Sequence, residues 1–223
     1  MIKKFLSVIL AAAMLLSFAV SASAGEAGEL KFSADGDFTI LHISDMQDDR
    51  YPAYDMLNFV RLAIENTDPD LIVITGDIVE DWRLGDFGVD GQNGKEGVKV
   101  EDLKGNLIYD KTLDNVKAAA DNIFSIIEEA GIPYAVTQGN NDYKAGISNE
   151  DWLDIYARYE HCLVRDDSPD ESGRIDYNLE IKGSDGKIAF NLWLMDSGRN
   201  SVNEEQIAWY KSRSTELAVA NGG

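Results

Sequence analysis

A short apolar run, Leu71–Ile74, limits the possible folds of this chain more than any other segment. Four aliphatic residues in a row, without a polar residue between them, are typical of a strand covered on both faces, as in a parallel sheet between helices. The run is followed by Gly76 and Asp77, where the glycine permits a sharp turn and a carboxylate comes next. Open α/β sheets bind their ligands just beyond the carboxyl ends of their strands, so Asp77 is a candidate functional residue. The alternative is an ordinary turn with a solvated aspartate.

Residues 1–24 have the pattern of a secretory signal peptide. Lys3 and Lys4 precede an apolar stretch from Phe5 to Val20, and the small residues at 22–24 form a cleavage site. We therefore expect cleavage after residue 24, export, and a mature protein without a stable membrane anchor. The alternative is an N-terminal anchor, because the apolar stretch approaches membrane-spanning length. Cys162 is the only cysteine, so an intrachain disulfide is excluded and a lipid anchor is not expected.

The strongly acidic composition restricts the classes of partner. The chain carries a formal net charge of −20 at pH 7, which repels the phosphates of nucleic acids and anionic membrane surfaces. We therefore expect no electrostatic binding of nucleic acid. A small anionic substrate stays possible, because a bound cation can reverse the local field.

The order of predicted elements indicates one α/β domain over residues 25–223. The predicted strands are 38–43, 71–74, 134–137, 175–181 and 188–195, and the predicted helices are 55–66, 113–130, 148–160 and one capped by Asn203. The first three strands alternate with helices, which predicts parallel pairing, and the last two are close enough to form an antiparallel hairpin.

Two further segments bear on the limits of this domain. Residues 84–112 are rich in glycine and acidic residues, and we interpret them as an insertion. The sequence ends at Gly223, where another loop and strand would follow in such a domain. We therefore expect a domain that lacks C-terminal strands.

Polar clusters follow three successive predicted core strands. Asp45 and Gln47 follow the first, Asp77 follows the second, and Gly-Asn-Asn-Asp at 139–142 follows the third. Because parallel strands end at one edge of a sheet, we expect these groups to converge. Carboxylates and amide oxygens gathered there would repel one another or stay unsatisfied without a cation among them. A pair of divalent cations would solve this problem and could hold a phosphate ester.

These motifs resemble the D-x-H, G-D and G-N-H-D/E signature of the calcineurin-like metallophosphoesterases, which include the purple acid phosphatases. A later stretch is similar to one secreted, phosphatase-like branch of that family in three places. These are Tyr177-Asn178, the strand end Leu192–Gly198 and the helix start Gln206–Tyr210. The resemblance implies an α/β fold, a four-layer αββα sandwich. It also implies two divalent metal ions (manganese, iron, zinc, magnesium or calcium) that hydrolyse a phosphomonoester or phosphodiester of a small phosphorylated substrate.

The resemblance also implies roles for six residues. The metal ligands would be Asp45, Gln47, Asp77 and Asn140, and the catalytic pair would be Asn141 and Asp142. Asp77 would bridge the two metals. Asp142 would orient Asn141.

The chain departs from the family signature at two of these positions. Gln47 replaces the first-motif histidine, and its amide oxygen shifts the preference from zinc towards manganese, magnesium or calcium. Asn141 replaces the histidine that protonates or stabilises the leaving group. An amide cannot act as a general acid near pH 7, and losing that function typically costs about 10²–10⁴ in rate.

The family's further histidine ligands also have no counterpart. The only histidines are His42, which we expect to be a packed strand residue, and His161, which we expect to be structural. The competing hypothesis is therefore a non-catalytic domain with at most weak metal binding. A third hypothesis is an α/β binding module whose acidic strand ends hold calcium.

Overall fold

The computed structural model describes residues 28–79, 107–168, 173–198 and 201–222. The predicted signal peptide at 1–24 and most of the predicted insertion at 84–112 lie outside the described residues. The last part of that predicted insertion, residues 107–112, is helical, since the second helix begins at Leu107.

The three predicted core strands form a parallel sheet. Strand β1 spans Ile40–Ile43, β2 spans Leu71–Ile74 and β3 spans Tyr134–Val136, with β2 in the centre. Ile74, the last residue of β2, pairs with Ile43 at the end of β1 and with Val136 at the end of β3. The polar segments that follow the strands therefore begin at one level on one edge, as predicted.

The central strand is covered on both faces. Leu71, Ile72 and Ile74 are fully buried, and Val73 is 6% exposed. Helix α1 spans Tyr54–Thr67 and contacts β1, and helix α2 spans Leu107–Ala130 and contacts α1. The residues of α2 at the expected helical spacing are all fully buried: Val116, Ala120, Ile123, Phe124 and Ile127. The burial of all four residues of β2 confirms the prediction of a strand covered on both faces.

The second sheet is the predicted antiparallel hairpin. Strand β4 spans Tyr177–Lys182 and β5 spans Ile188–Leu194. Tyr177 joins the two sheets, because its hydroxyl donates to the carbonyl of Val136 and accepts from its backbone N–H, both at 2.8 Å. The two sheets therefore pack against each other.

Two further helices and one short turn complete the fold. A 3-10 helix spans Asp142–Ala145, α3 spans Asn149–Tyr156 and α4 spans Glu204–Ala220. Helices α3 and α4 both begin with the capping boxes that stabilise helix N-termini, the first of them at Ser148 as predicted.

Helix α4 lies on the hairpin. The ring of Trp209 on α4 packs edge-on against Trp193 on β5, with centroids 5.5 Å apart, and Arg213 on α4 bonds Glu180 on β4. Helix α1 contacts the first sheet and helix α4 lies on the second. The layers therefore follow the order helix, sheet, sheet, helix of the predicted αββα sandwich. Within the part of the chain that the structure describes, helices long and apolar enough to cross a membrane are absent.

Candidate functional site

The loops after β1 and β2 run side by side beyond the ends of their strands. The backbone N–H of Asp45 donates to the carbonyl of Gly76 at 3.1 Å, and that of Gln47 donates to the carbonyl of Asp77 at 2.9 Å. These bonds continue the parallel pairing of the sheet into polar sequence. The first and second motifs are therefore held together by their main chains.

Three candidate site residues have unusual backbone geometry. Asp45, Gln47 and Asp77 adopt φ angles of 57°, 44° and 50°, in the left-handed region. Residues other than glycine seldom adopt this conformation, and such residues concentrate at functional sites where the surrounding structure enforces it. The geometry supports the interpretation of this edge as a functional site.

Glycines allow the second and third motifs to touch backbone to backbone. A Cβ atom on Gly76 would lie 2.1 Å from the nitrogen of Gly139, and Gly76 also has a φ of +91°. A Cβ atom on Gly139 would lie 2.3 Å from both the nitrogen and Oδ1 of Asp77. Any larger side chain at either position would push the two loops apart.

Asp77 lies at the centre of the cluster and is only 8% exposed. Its Oδ1 accepts a hydrogen bond from the backbone N–H of Asn141 at 2.8 Å. Its Oδ2 accepts from the side-chain amides of Gln47 at 3.1 Å and Asn141 at 3.0 Å. Both residues that stand where the family signature has histidine therefore donate an amide N–H to this carboxylate.

Asp142 lies beneath the cluster and ties the loops together. Its side chain is fully buried. Its Oδ1 accepts hydrogen bonds from the backbone N–H groups of Ile78 at 2.9 Å and Val79 at 3.1 Å. Its Oδ2 accepts a hydrogen bond from the backbone N–H of Gly139 at 2.8 Å. Burial raises the pKa of this carboxyl to about 7, although the three N–H groups act in the opposite direction. Asp142 thus cross-links the second motif to the third.

Asp45 and Asn140 lie at the exposed side of the cluster. The amide of Asn140 donates to Oδ1 of Asn141 at 3.1 Å, and the ammonium of Lys144 donates to the same oxygen at 2.8 Å. The six predicted residues therefore share one edge, with Gln47, Asp77 and Asn141 in direct contact. Lys144, which carries a positive charge next to this cluster, was not among the residues predicted from the sequence.

The donor groups of this cluster, as they are arranged, do not fit a pair of metal ions. Among the described residues, groups of three or more histidine, cysteine, aspartate and glutamate side chains that could hold a metal are absent, so a metal here would need the amides Gln47 and Asn140 as ligands. Both oxygens of Asp77 already accept N–H groups, and Gln47 presents its amide nitrogen rather than its oxygen. A metal ligand must present a lone pair, so these amides would have to turn around before they could bind one.

The two histidines lie outside this contact cluster. Nε2 of His42 lies 2.7 Å from Oγ1 of Thr75, and the His42 side chain is exposed rather than packed as the sequence led us to expect. The main chain of His161 pairs with Tyr134, the first residue of β3, which lies at the opposite end of that strand from the cluster.

An αββα arrangement with these motifs at one sheet edge defines a protein of the metallophosphoesterase class. The family model for calcineurin-like phosphoesterase matches residues 38–219, so the chain belongs to this family. Proteins of the family generally use divalent metal ions and act on phosphorylated substrates.

Three curated relatives from Arabidopsis thaliana are similar to this chain. "Probable inactive purple acid phosphatase 14" is 28% identical over 86% of this chain and 50% of the relative. "Probable inactive purple acid phosphatase 28" is 23% identical over 84% of this chain and 50% of the relative. "Probable inactive purple acid phosphatase 29" is 26% identical over 95% of this chain and 56% of the relative. The chain thus spans about half the length of these relatives.

Proposed function

We propose that this chain is a phosphoesterase-fold domain that does not hydrolyse phosphate esters and binds divalent metal ions at most weakly. The observation that carries the proposal is the state of the Asp77 carboxylate, which accepts N–H groups on both oxygens, from Gln47 and Asn141. In a metal centre the cations would balance the negative charge of this carboxylate. Here amide donors supply that compensation from within the chain.

The chemistry at Asn141 supports the same proposal. Its side chain donates to Asp77 and accepts from Lys144, so it already takes part in hydrogen bonds on both sides of its amide. An amide also lacks a proton that it could transfer to a leaving group near pH 7. Turnover would therefore lack general-acid help, even if a substrate were bound.

A second candidate is metal-dependent hydrolysis of a small phosphomonoester or phosphodiester, with two ions of manganese, iron, zinc, magnesium or calcium. The left-handed backbone at Asp45, Gln47 and Asp77 favours it, because such geometry persists where function requires it. Asp45, Gln47, Asp77 and Asn140 would be the ligands, and Asn141 and Asp142 would act beside them. Rotation of the Gln47 amide would be a precondition.

The deciding experiment is hydrolysis of bis-(p-nitrophenyl) phosphate and p-nitrophenyl phosphate by the full chain with each of the five metal ions. We expect the native protein to turn over no faster than Asp77→Ala. Asp70→Ala is the matched control, because Asp70 precedes the same strand at its other end. The double variant Gln47→His with Asn141→His restores the signature and is expected to bind metal more tightly. A native rate that Asp77→Ala abolishes and Asp70→Ala leaves intact would overturn the proposal in favour of the second candidate.

Export is also part of this proposal. It rests on the pattern of residues 1–24, and the expected mature protein begins at Gly25. N-terminal sequencing of the protein recovered outside the cytoplasm tests it. An intact leader on that protein would contradict cleavage after residue 24.

A further inference from the structure

A buried polar network connects the third motif to the antiparallel hairpin. Tyr143, the residue after Asp142, donates its hydroxyl to Oδ2 of Asp196 at 2.5 Å. Asp196 lies two residues beyond the end of β5 and is fully buried. It begins the Asp-Ser-Gly sequence at 196–198, the last part of the Leu192–Gly198 stretch that resembles the family. Gly198 of that sequence donates its N–H to Oδ1 of Asp196 at 2.8 Å.

The first turn of α4 holds Asp196 from the other side. The side-chain amide of Gln206, which is fully buried, donates to the carbonyl of Asp196 at 2.8 Å and to both oxygens of Asp176 at 2.9 and 2.8 Å. The backbone N–H of Asp196 donates to Oδ1 of Asp176 at 2.7 Å. The Gln206 oxygen accepts from Arg174 at 2.8 Å, which brings a positive charge to the two buried aspartates. Buried networks of this kind, when satisfied, fix a single geometry.

The third motif needs such a support because its own turn is short. The 3-10 helix has only four residues, Asp142–Ala145, and 3-10 helices have weak internal hydrogen-bond geometry. Asp142 anchors the turn to the loop after β2, and Tyr143 anchors it to Asp196. Two anchors on consecutive side chains prevent the turn from rotating. Asn141, which donates to Asp77, directly precedes these two anchored residues.

We propose that Asp196 is a positioning residue that, through Tyr143, sets the orientation of the Asn140–Asp142 turn against Asp77. The Asp-Ser-Gly segment after β5 and Gln206 on α4 thereby serve the site on the first sheet. This proposal concerns the same site as the proposed function. It does not depend on whether that site hydrolyses an ester.

The test is backbone amide hydrogen exchange, followed by NMR on the full chain without metal or substrate. Four reporter amides depend on the third motif, because they donate to Asp142 or Asp77: Ile78, Val79, Gly139 and Asn141. Tyr143→Phe removes only the hydroxyl. We expect exchange at the reporter amides to rise about tenfold or more, which is the effect of losing a hydrogen bond to a charged acceptor.

The matched control is Tyr159→Phe, which removes a tyrosine hydroxyl that donates to Asp121 at 2.6 Å. It is expected to leave the reporter amides unchanged. In Asp196→Asn, the amide nitrogen can donate to the Tyr143 hydroxyl while the oxygen keeps the bond from Gly198, so exchange is expected to stay near the native rate.

Three outcomes would overturn the positioning role. The reporter amides could exchange no faster in Tyr143→Phe than in Tyr159→Phe. All amides could accelerate together in Tyr143→Phe, in proportion to the loss of global stability, which is what a merely structural bond would produce. Asp196→Ala, which removes the acceptor of the Tyr143 hydroxyl, could leave the reporter amides at the native exchange rate. If the protein did hydrolyse phosphate esters, against the proposed function, these exchange results would keep their meaning, because they require no turnover.

Discussion

Gly139→Ala is expected to destabilise the fold strongly, because the second and third motifs meet at this residue without any space for a side chain. A Cβ atom would lie 2.3 Å from the nitrogen and Oδ1 of Asp77, whereas ordinary van der Waals contact begins at 3.4 Å. The loops would therefore have to separate by about 1 Å. Overpacking of this kind costs about 1–3 kcal/mol.

The same separation would stretch the hydrogen bond from the N–H of Asn141 to Oδ1 of Asp77, which is 2.8 Å long. A bond to a charged acceptor contributes about 1.5–3 kcal/mol. The expected loss in the free energy of unfolding is therefore about 2.5–6 kcal/mol, a large part of the typical total of about 5–15 kcal/mol.

Urea unfolding of the full chain, followed by tryptophan fluorescence, measures this loss. Gly28→Ala is the matched control, because a Cβ atom there meets nothing within 4 Å. We expect the control to stay within about 0.5 kcal/mol of the native protein. A loss of less than about 1 kcal/mol in Gly139→Ala would refute the reasoning, since the two loops could not then be packed backbone to backbone.

Two further perturbations test separate features: the first tests the link between the two sheets, and the second tests the buried network around Asp196. Tyr177→Phe leaves the N–H and carbonyl of Val136 buried without their partner, so we expect a loss of about 2–5 kcal/mol in urea unfolding. Tyr210→Phe, at a side chain that is 41% exposed, is its control, and equal midpoints for the two variants would contradict the prediction. Burial raises the pKa of Asp196 above its ordinary range, so the folded state holds this proton more tightly than the unfolded chain does. The free energy of unfolding should therefore fall as the pH rises from about 4 through the folded pKa. Asp196→Asn should show a smaller fall over the same range, and identical slopes in urea titrations would contradict the assignment.

Local sequence patterns determined most of the secondary structure. The unbroken aliphatic run at Leu71–Ile74 predicted a strand buried on both faces, and the structure confirms it. Side-chain patterns also predicted the helix start at Ser148, because a capping box involves residues only three apart. These signals are readable because the interacting groups are neighbours in the chain.

The start of α2 shows where such signals fail. The glycine-rich composition before Leu113 led us to expect an insertion through residue 112, yet the helix begins at Leu107. Tyr109 in the added turns is buried, and its hydroxyl bonds Asp151 and Ser148 on another element. Tertiary contacts of this kind extend a helix beyond what its own composition favours.

The convergence of the three polar segments at one edge was readable from the sequence, because parallel strands that end in polar motifs share that edge. The bonding within the site was decided by the tertiary structure alone. Asn141 and Asp77 are 64 residues apart, and Tyr143 and Asp196 are 53 apart. Periodicity and spacing report on neighbours along the chain. Only the packed fold sets the atoms that meet across such separations, and it decides here that amide nitrogens face Asp77.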